Sequence, residues 1–159
     1  MIDTSQNVKV NILCSKSKVA PLQKRTLAKL ELCSAHLLAD LMNKVKNRVS
    51  YAVDEIFYWS DSQIALAWIA HPSANLKTFV TNRVADIQES SEIKNWHHIP
   101  GKINPADHIS RGLYPKDLVD CKEWFEGSQF FKQFSAEKLP PKDVCDTSAN
   151  EIISEIKVS

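Results

Sequence analysis

Ile56-Phe57-Tyr58-Trp59-Ser60-Asp61-Ser62-Gln63 is the stretch whose reading decides the fold. Four consecutive large apolar or aromatic residues read as a strand buried on both faces. They run straight into a Ser-Asp-Ser cluster that opens a helix at Gln63-Ile64-Ala65-Leu66-Ala67-Trp68. A strand followed at once by a helix is the unit of an α/β sheet, and ligands of such sheets bind at the carboxyl ends of the strands. Asp61 stands at that end. The same cluster also has a plain structural use, because Ser60, Asp61 or Ser62 can cap the helix and satisfy its orphan amides.

Upstream, Leu27, Leu30, Cys33 or Ser34, Leu37, Leu38, Leu41 and Val45 recur at helical spacing, which predicts a long helix from about Thr26 to Asn47. Glu31 lies on or beside this apolar stripe, where a carboxylate without a partner is costly, unless it reaches solvent from the stripe's edge. Before the helix, Ser15 to Gln23 reads as a basic loop. Earlier still, Val8, Val10 and Ile12 alternate with polar residues over 8–14, as in a half-buried strand.

Downstream, His71-Pro72-Ser73 marks a break, and a second helix is expected from about Leu76 to Ser90, burying Leu76, Phe79, Val80, Val84 and Ile87. Ile93 to Ile99 reads as a weak strand. In the following segment Gly101 turns the chain, Asn104 suits an N-cap, Pro105 an N1 position and Gly112 a helix end. Asp107 therefore sits in the first turn of a short helix, where a carboxylate favours the dipole.

Composition bounds the class. The chain has 159 residues, 43% hydrophobic and 25% charged, which suits one globular domain with a tail. No basic leader followed by an apolar core opens it, and no apolar run reaches spanning length, so an intracellular protein without a membrane anchor is expected. Cys14, Cys33, Cys121 and Cys145 form no C-x-x-C pair, and His97-His98 with Cys121 and Cys145 match no common zinc spacing; reduced thiols are expected. Charge is uneven. Residues 1–48 carry nine Lys or Arg against Asp3, Glu31 and Asp40, while the rest carries eleven against sixteen acids. Such a basic third can serve phosphates or simply solvate helices.

Several ordered blocks carry a family resemblance. They are Ser17-Lys18-Val19-Ala20-Pro21-Leu22, Leu30-Glu31-Leu32-Cys33-Ser34-Ala35, Trp59-Ser60-Asp61-Ser62-Gln63, Phe79-Val80-Thr81-Asn82-Arg83-Val84, and His98-Ile99-Pro100-Gly101-Lys102 through Asn104-Pro105-Ala106-Asp107 to Ser110-Arg111-Gly112. Together they resemble the ribonuclease H-like domain of BEL/Pao long-terminal-repeat retrotransposon polyproteins. The resemblance implies an α/β fold, a ribonuclease H-like mixed sheet flanked by helices. It also implies two-metal hydrolysis of the RNA strand of RNA–DNA hybrids, with Glu31, Asp61 and Asp107 as catalytic and metal-binding carboxylates. Hard oxygen ligands suit Mg²⁺ or Mn²⁺. The partners it implies are the hybrid and the neighbouring reverse transcriptase and integrase segments of a polyprotein, in the cytoplasm or in virus-like particles.

The sequence departs from the family at its start. The family's domain opens with two strands, the first bearing a metal-binding aspartate, and these are expected to be lacking here. The 8–14 strand is then expected either to dock beside Ile56–Trp59 or to be poorly held. Three carboxylates, about −3 of ligand charge, against +4 of metal imply weak ion binding and a chain inactive alone. The expected organisation is a partial ribonuclease H-like domain over 1–112, an aromatic-rich extension over 113–134 with Trp124, Phe125, Phe130, Phe131 and Phe134, and a linker or tail over 135–159 ending in a short helix from Glu151 to Val158. The alternative function is a non-catalytic nucleic-acid-binding or polyprotein assembly module.

Overall fold

The computed structural model describes residues 9–50, 52–133 and 149–157, which fall into two compact units. One comprises Met1–Ser17 with Pro100–Pro141, the other Lys18–Ile99 with Lys142–Ser159. Among the described residues the fold is rich in helix and holds a single two-stranded parallel sheet, compatible with an α/β ribonuclease H-like fold.

The larger unit contains the core. Helix α1 runs Leu27–Lys46, close to the span its periodicity predicts, and ends on Asn47 with Lys44 and Lys46 in its last turn, where cations suit the helix dipole. Its buried face differs from the expected one. Ala28, Leu32, Ala35 and Ala39 point inward, whereas Leu27 is 71% exposed. The physical reason is close packing. α1 lies against α3, Thr78–Ser90, and the alanines let the two backbones approach while Leu32 fills the centre. From α3 come Val80, Val84 and Ile87, all buried, with Leu76 just before the helix; Phe79 is only half-buried. Two polar ties join the pair: Arg83 Nε donates to Cys33 Sγ at 3.3 Å, and His36 Nε2 meets Asp86 Oδ2 at 3.0 Å.

The Ile56–Trp59 strand is shorter than expected and shifted. Strand β1 is Tyr58–Ser60; Ile56 and Phe57 precede it, half-buried and outside the ladder. It pairs in parallel with β2, Trp96–His98, so that Tyr58 faces Trp96, Trp59 faces His97 and Ser60 faces His98. The Ile99 N–H bonds to Ser60 O at 3.0 Å and extends the ladder by one step. Tyr58 and Trp96 stack inside the core with ring centroids 4.6 Å apart, while Trp59 and His97 meet at 5.2 Å. Burial pushes the Tyr58 phenol above its ordinary value, because the phenolate would lose hydration.

After β1 comes α2, Gln63–Ala70, hydrophobic on several faces, burying Ala65, Trp68 and Ile69. Its C-terminal carbonyls would be orphaned, but Gln88 Nε2 on α3 donates to Ile69 O at 2.8 Å and to His71 O at 2.9 Å. The break at Pro72 is a single 3₁₀ turn, Ser73–Asn75, held by Thr81 Oγ1 donating to Ser73 O and Leu76 O. Before β2 the weak strand begins instead as a 3₁₀ turn, Ile93–Asn95.

The smaller unit corrects the expectation for 8–14. Val8 lies outside the described residues, and 9–14 forms no strand and does not pair with β1. The Ile12 N–H bonds to Phe125 O at 2.9 Å, and Val10 sits over Gly127. Alternation of apolar residues suits any extended segment with one covered face, and here short helices provide the cover. They are α5 Pro115–Val119, α6 Lys122–Glu126 and α7 Gln129–Gln133. Ahead of them stands α4, Asp107–Arg111. Phe134 and the expected linker after Ser135 lie largely outside the described residues, but Ala149–Ser154 forms α8 and belongs with the larger unit.

Candidate active site

Asp61 occupies the bend between β1 and α2, one residue before the helix cap. The three-way ambiguity of the Ser-Asp-Ser cluster resolves onto Ser62. Its hydroxyl accepts from the Ala65 N–H at 3.1 Å, and the residue is 5% exposed. Ser60 Oγ accepts from the Ser62 N–H at 3.2 Å and stiffens the bend. Asp61 is therefore exposed at the carboxyl end of a parallel strand, and among the described residues no hydrogen bond or ion pair engages it.

Glu31 is on α1 immediately before the buried Leu32, half-buried at the edge of the inward face. It likewise has no hydrogen-bond or ion-pair partner among the described residues.

Asp107 belongs to the smaller unit, where the local chemistry follows the sequence closely. A 3₁₀ turn, Gly101–Ile103, leads into Asn104, whose Oδ1 accepts from the Ala106 N–H at 3.1 Å, and Gly112 closes α4 with φ 78°. Asp107 opens that helix, half-buried, and its Oδ1 lies 3.4 Å from Ser110 Oγ. It lines a cavity of about 340 Å³ together with Asn104, His108, Glu123 and Ser128. His108 Nε2 lies 3.5 Å from Glu123 Oε2.

Glu31 and Asp61 thus share the larger unit, and Asp107 stands in the other. Among the described residues no group of three or more His, Cys, Asp or Glu side chains is placed to hold a metal ion. The donor chemistry suits a hard cation, but these side chains do not form a ready-made ligand set. His97, His98 and Cys121 likewise join no such group, and Cys145 is outside the described residues.

One cluster escapes sequence reasoning, and it centres on Arg83 of α3. Its guanidinium lies over the Phe79 ring, 3.6 Å from the centroid, and donates to Phe79 O at 2.9 Å; Arg25 approaches the same ring at 4.1 Å. The available signal is the i, i+4 spacing of Phe79 and Arg83.

The larger unit is helix-rich α/β, and Asp61 stands at the carboxyl end of a parallel strand, the edge at which open α/β sheets bind ligands. Comparison narrows the class. Residues 1–62 match the family model described as a Pao retrotransposon-like RNaseH-like domain, a span that includes both Glu31 and Asp61. Over that span, about two fifths of the chain, the sequence is similar to this family's domain. No curated protein and no solved structure matches it. Among the described residues no helix is long and apolar enough to cross a membrane.

Proposed function

We propose that this chain contributes to a ribonuclease H-type nuclease of a retrotransposon polyprotein, acting on the RNA strand of RNA–DNA hybrids. The observation that carries the reading is Asp61: Ser62 does the capping, and among the described residues the carboxylate at the strand end makes no hydrogen bond or ion pair. Glu31, half-buried and unpaired, is its companion in the same unit, and Asp107 is assigned by the family resemblance. In that role the carboxylates would hold Mg²⁺ or Mn²⁺, which would supply charge stabilisation and an activated water. Three carboxylates supply about −3 of charge against +4 for two such ions, so binding by these three groups alone would be weak. Reverse transcriptase and integrase segments of the same polyprotein are the natural neighbours, in the cytoplasm or a virus-like particle.

Titration with Mn²⁺ tests the ligand assignment. Asp61→Asn and Glu31→Gln should each weaken the binding by about tenfold or more, the loss of one charged ligand. Equal binding by all three proteins would rule the assignment out.

A second reading has an observation of its own. Lys16, Lys18 and Lys24 are all exposed on the stretch leading to α1, as a non-catalytic nucleic-acid-binding module requires. In that case Asp61→Asn leaves hybrid affinity and its salt dependence unchanged, and no divalent ion matters.

A further inference from the structure

Residues 149–157 do more than end the chain. Within the larger unit, the Lys77 N–H bonds to Glu155 O at 2.7 Å and the Lys157 N–H bonds to Asn75 O at 2.8 Å, an antiparallel bridge in which Leu76 faces Ile156. Ile152 and Ile156 pack against the core beside Leu76, which is fully buried. Lys29 Nζ reaches Glu155 Oε1 at 2.7 Å, with side chains only 23% and 12% exposed, and Lys157 Nζ donates to Ala74 O at 3.1 Å. This is how proteins seize a peptide from outside: main-chain bonds along an extended edge, apolar anchors, and one charge that reads the sequence.

We infer that the groove formed by Asn75–Lys77, α2 and Lys29 is a recognition site for the segment Ile152–Lys157, and that it accepts this segment from a second copy of the chain as well as from its own. The reading is independent of any nuclease role. Within one chain the segment and its groove are covalently joined, which favours the closed form over exchange at low protein concentration. Weakening the closed form while leaving the exchanged form intact should therefore shift the segment between copies.

Charge reversal at the ion pair achieves this. Full-length Lys29→Glu and full-length Glu155→Lys each carry a mismatched pair when closed on themselves. Mixed one to one, an exchanged dimer restores opposite charges at both contacts: the glutamate placed at position 29 of one copy meets the lysine placed at position 155 of the other, and native Lys29 meets native Glu155. Each variant alone should sediment as a monomer, with Lys77 and Lys157 amides exchanging about tenfold or more faster than in the native chain. The mixture at about 0.3 mM should sediment as a dimer with those amides protected again. The double variant, with its pair restored in cis, should be a protected monomer, and buried Trp68 fluorescence reports that every protein is folded. A mixture that stays monomeric while both single variants show the faster exchange would overturn the inference, and so would single variants whose amides exchange as slowly as native.

Discussion

Replacing Ser62 by Ala and, separately, Asp61 by Asn sorts structural from functional work within two adjacent residues. Ser62 is nearly buried and its hydroxyl takes the Ala65 N–H at 3.1 Å. Alanine leaves that amide without a partner in a place water reaches poorly, and the loss of an N-cap costs about 1–2 kcal/mol. For a chain of this size that lowers the melting temperature by roughly 2–8 °C. Asp61 is exposed and unengaged, so Asp61→Asn should stay within about 0.5 kcal/mol of native stability. The carboxylate still lies near the amino end of α2, where the dipole favours it. Measuring both variants by thermal and urea unfolding at low salt and at about 0.5 M salt removes that contribution. Asp61→Asn should then be indistinguishable from native. A loss matching that of Ser62→Ala at high salt would show that Asp61 is a structural residue, and the argument for its catalytic role would fall.

Three further outcomes follow from the packing. Leu32→Ala removes the one large side chain of an otherwise alanine-lined α1 face at 0% exposure, and should cost about 2–5 kcal/mol in urea unfolding, whereas Leu27→Ala, on the exposed side, should cost about 0.5 kcal/mol or less. Gly127→Ala should destabilise by over about 1 kcal/mol, since a Cβ there combines φ 70° with an approach of 2.9 Å to Val10 Cγ1; Gly112→Ala, at φ 78° with nothing within 4 Å, pays only the backbone cost. Finally, Tyr58 holds its proton more tightly folded than unfolded, so its contribution to stability is complete below pH 10 and is lost as pH rises through the folded value. Absorbance at 295 nm should show Tyr58, 5% exposed, ionising above the range of free tyrosine, and its ionisation within that range in a still-folded chain would contradict the burial.

Much of this architecture is written locally and is legible for that reason. The ends of α1, the break at Pro72 and the Asn104–Gly112 turn and helix depend on caps, prolines and glycines acting within a few residues. The face of α1 does not. Leucine spacing points to one stripe, but which stripe is buried depends on how closely α3 can approach, and alanines decide that. The alternation over 9–14 likewise specifies an extended segment without naming what covers it, and Phe125 and Gly127 are more than a hundred residues away. The cap between Ser60 and Ser62 is local, yet three chemically equivalent candidates compete, and only the burial of Ser62 separates them. Arg83 and the 149–157 segment are invisible for the same reason: a guanidinium on a ring, or a strand edge taken up from far along the chain, has no periodicity of its own.

Cleavage of a labelled RNA–DNA hybrid in Mg²⁺ and in Mn²⁺ tests the central claim most directly. Metal-dependent cutting by a protein that contains residues 1–159 should be abolished by Asp61→Asn. Cleavage that survives Asp61→Asn would contradict the account.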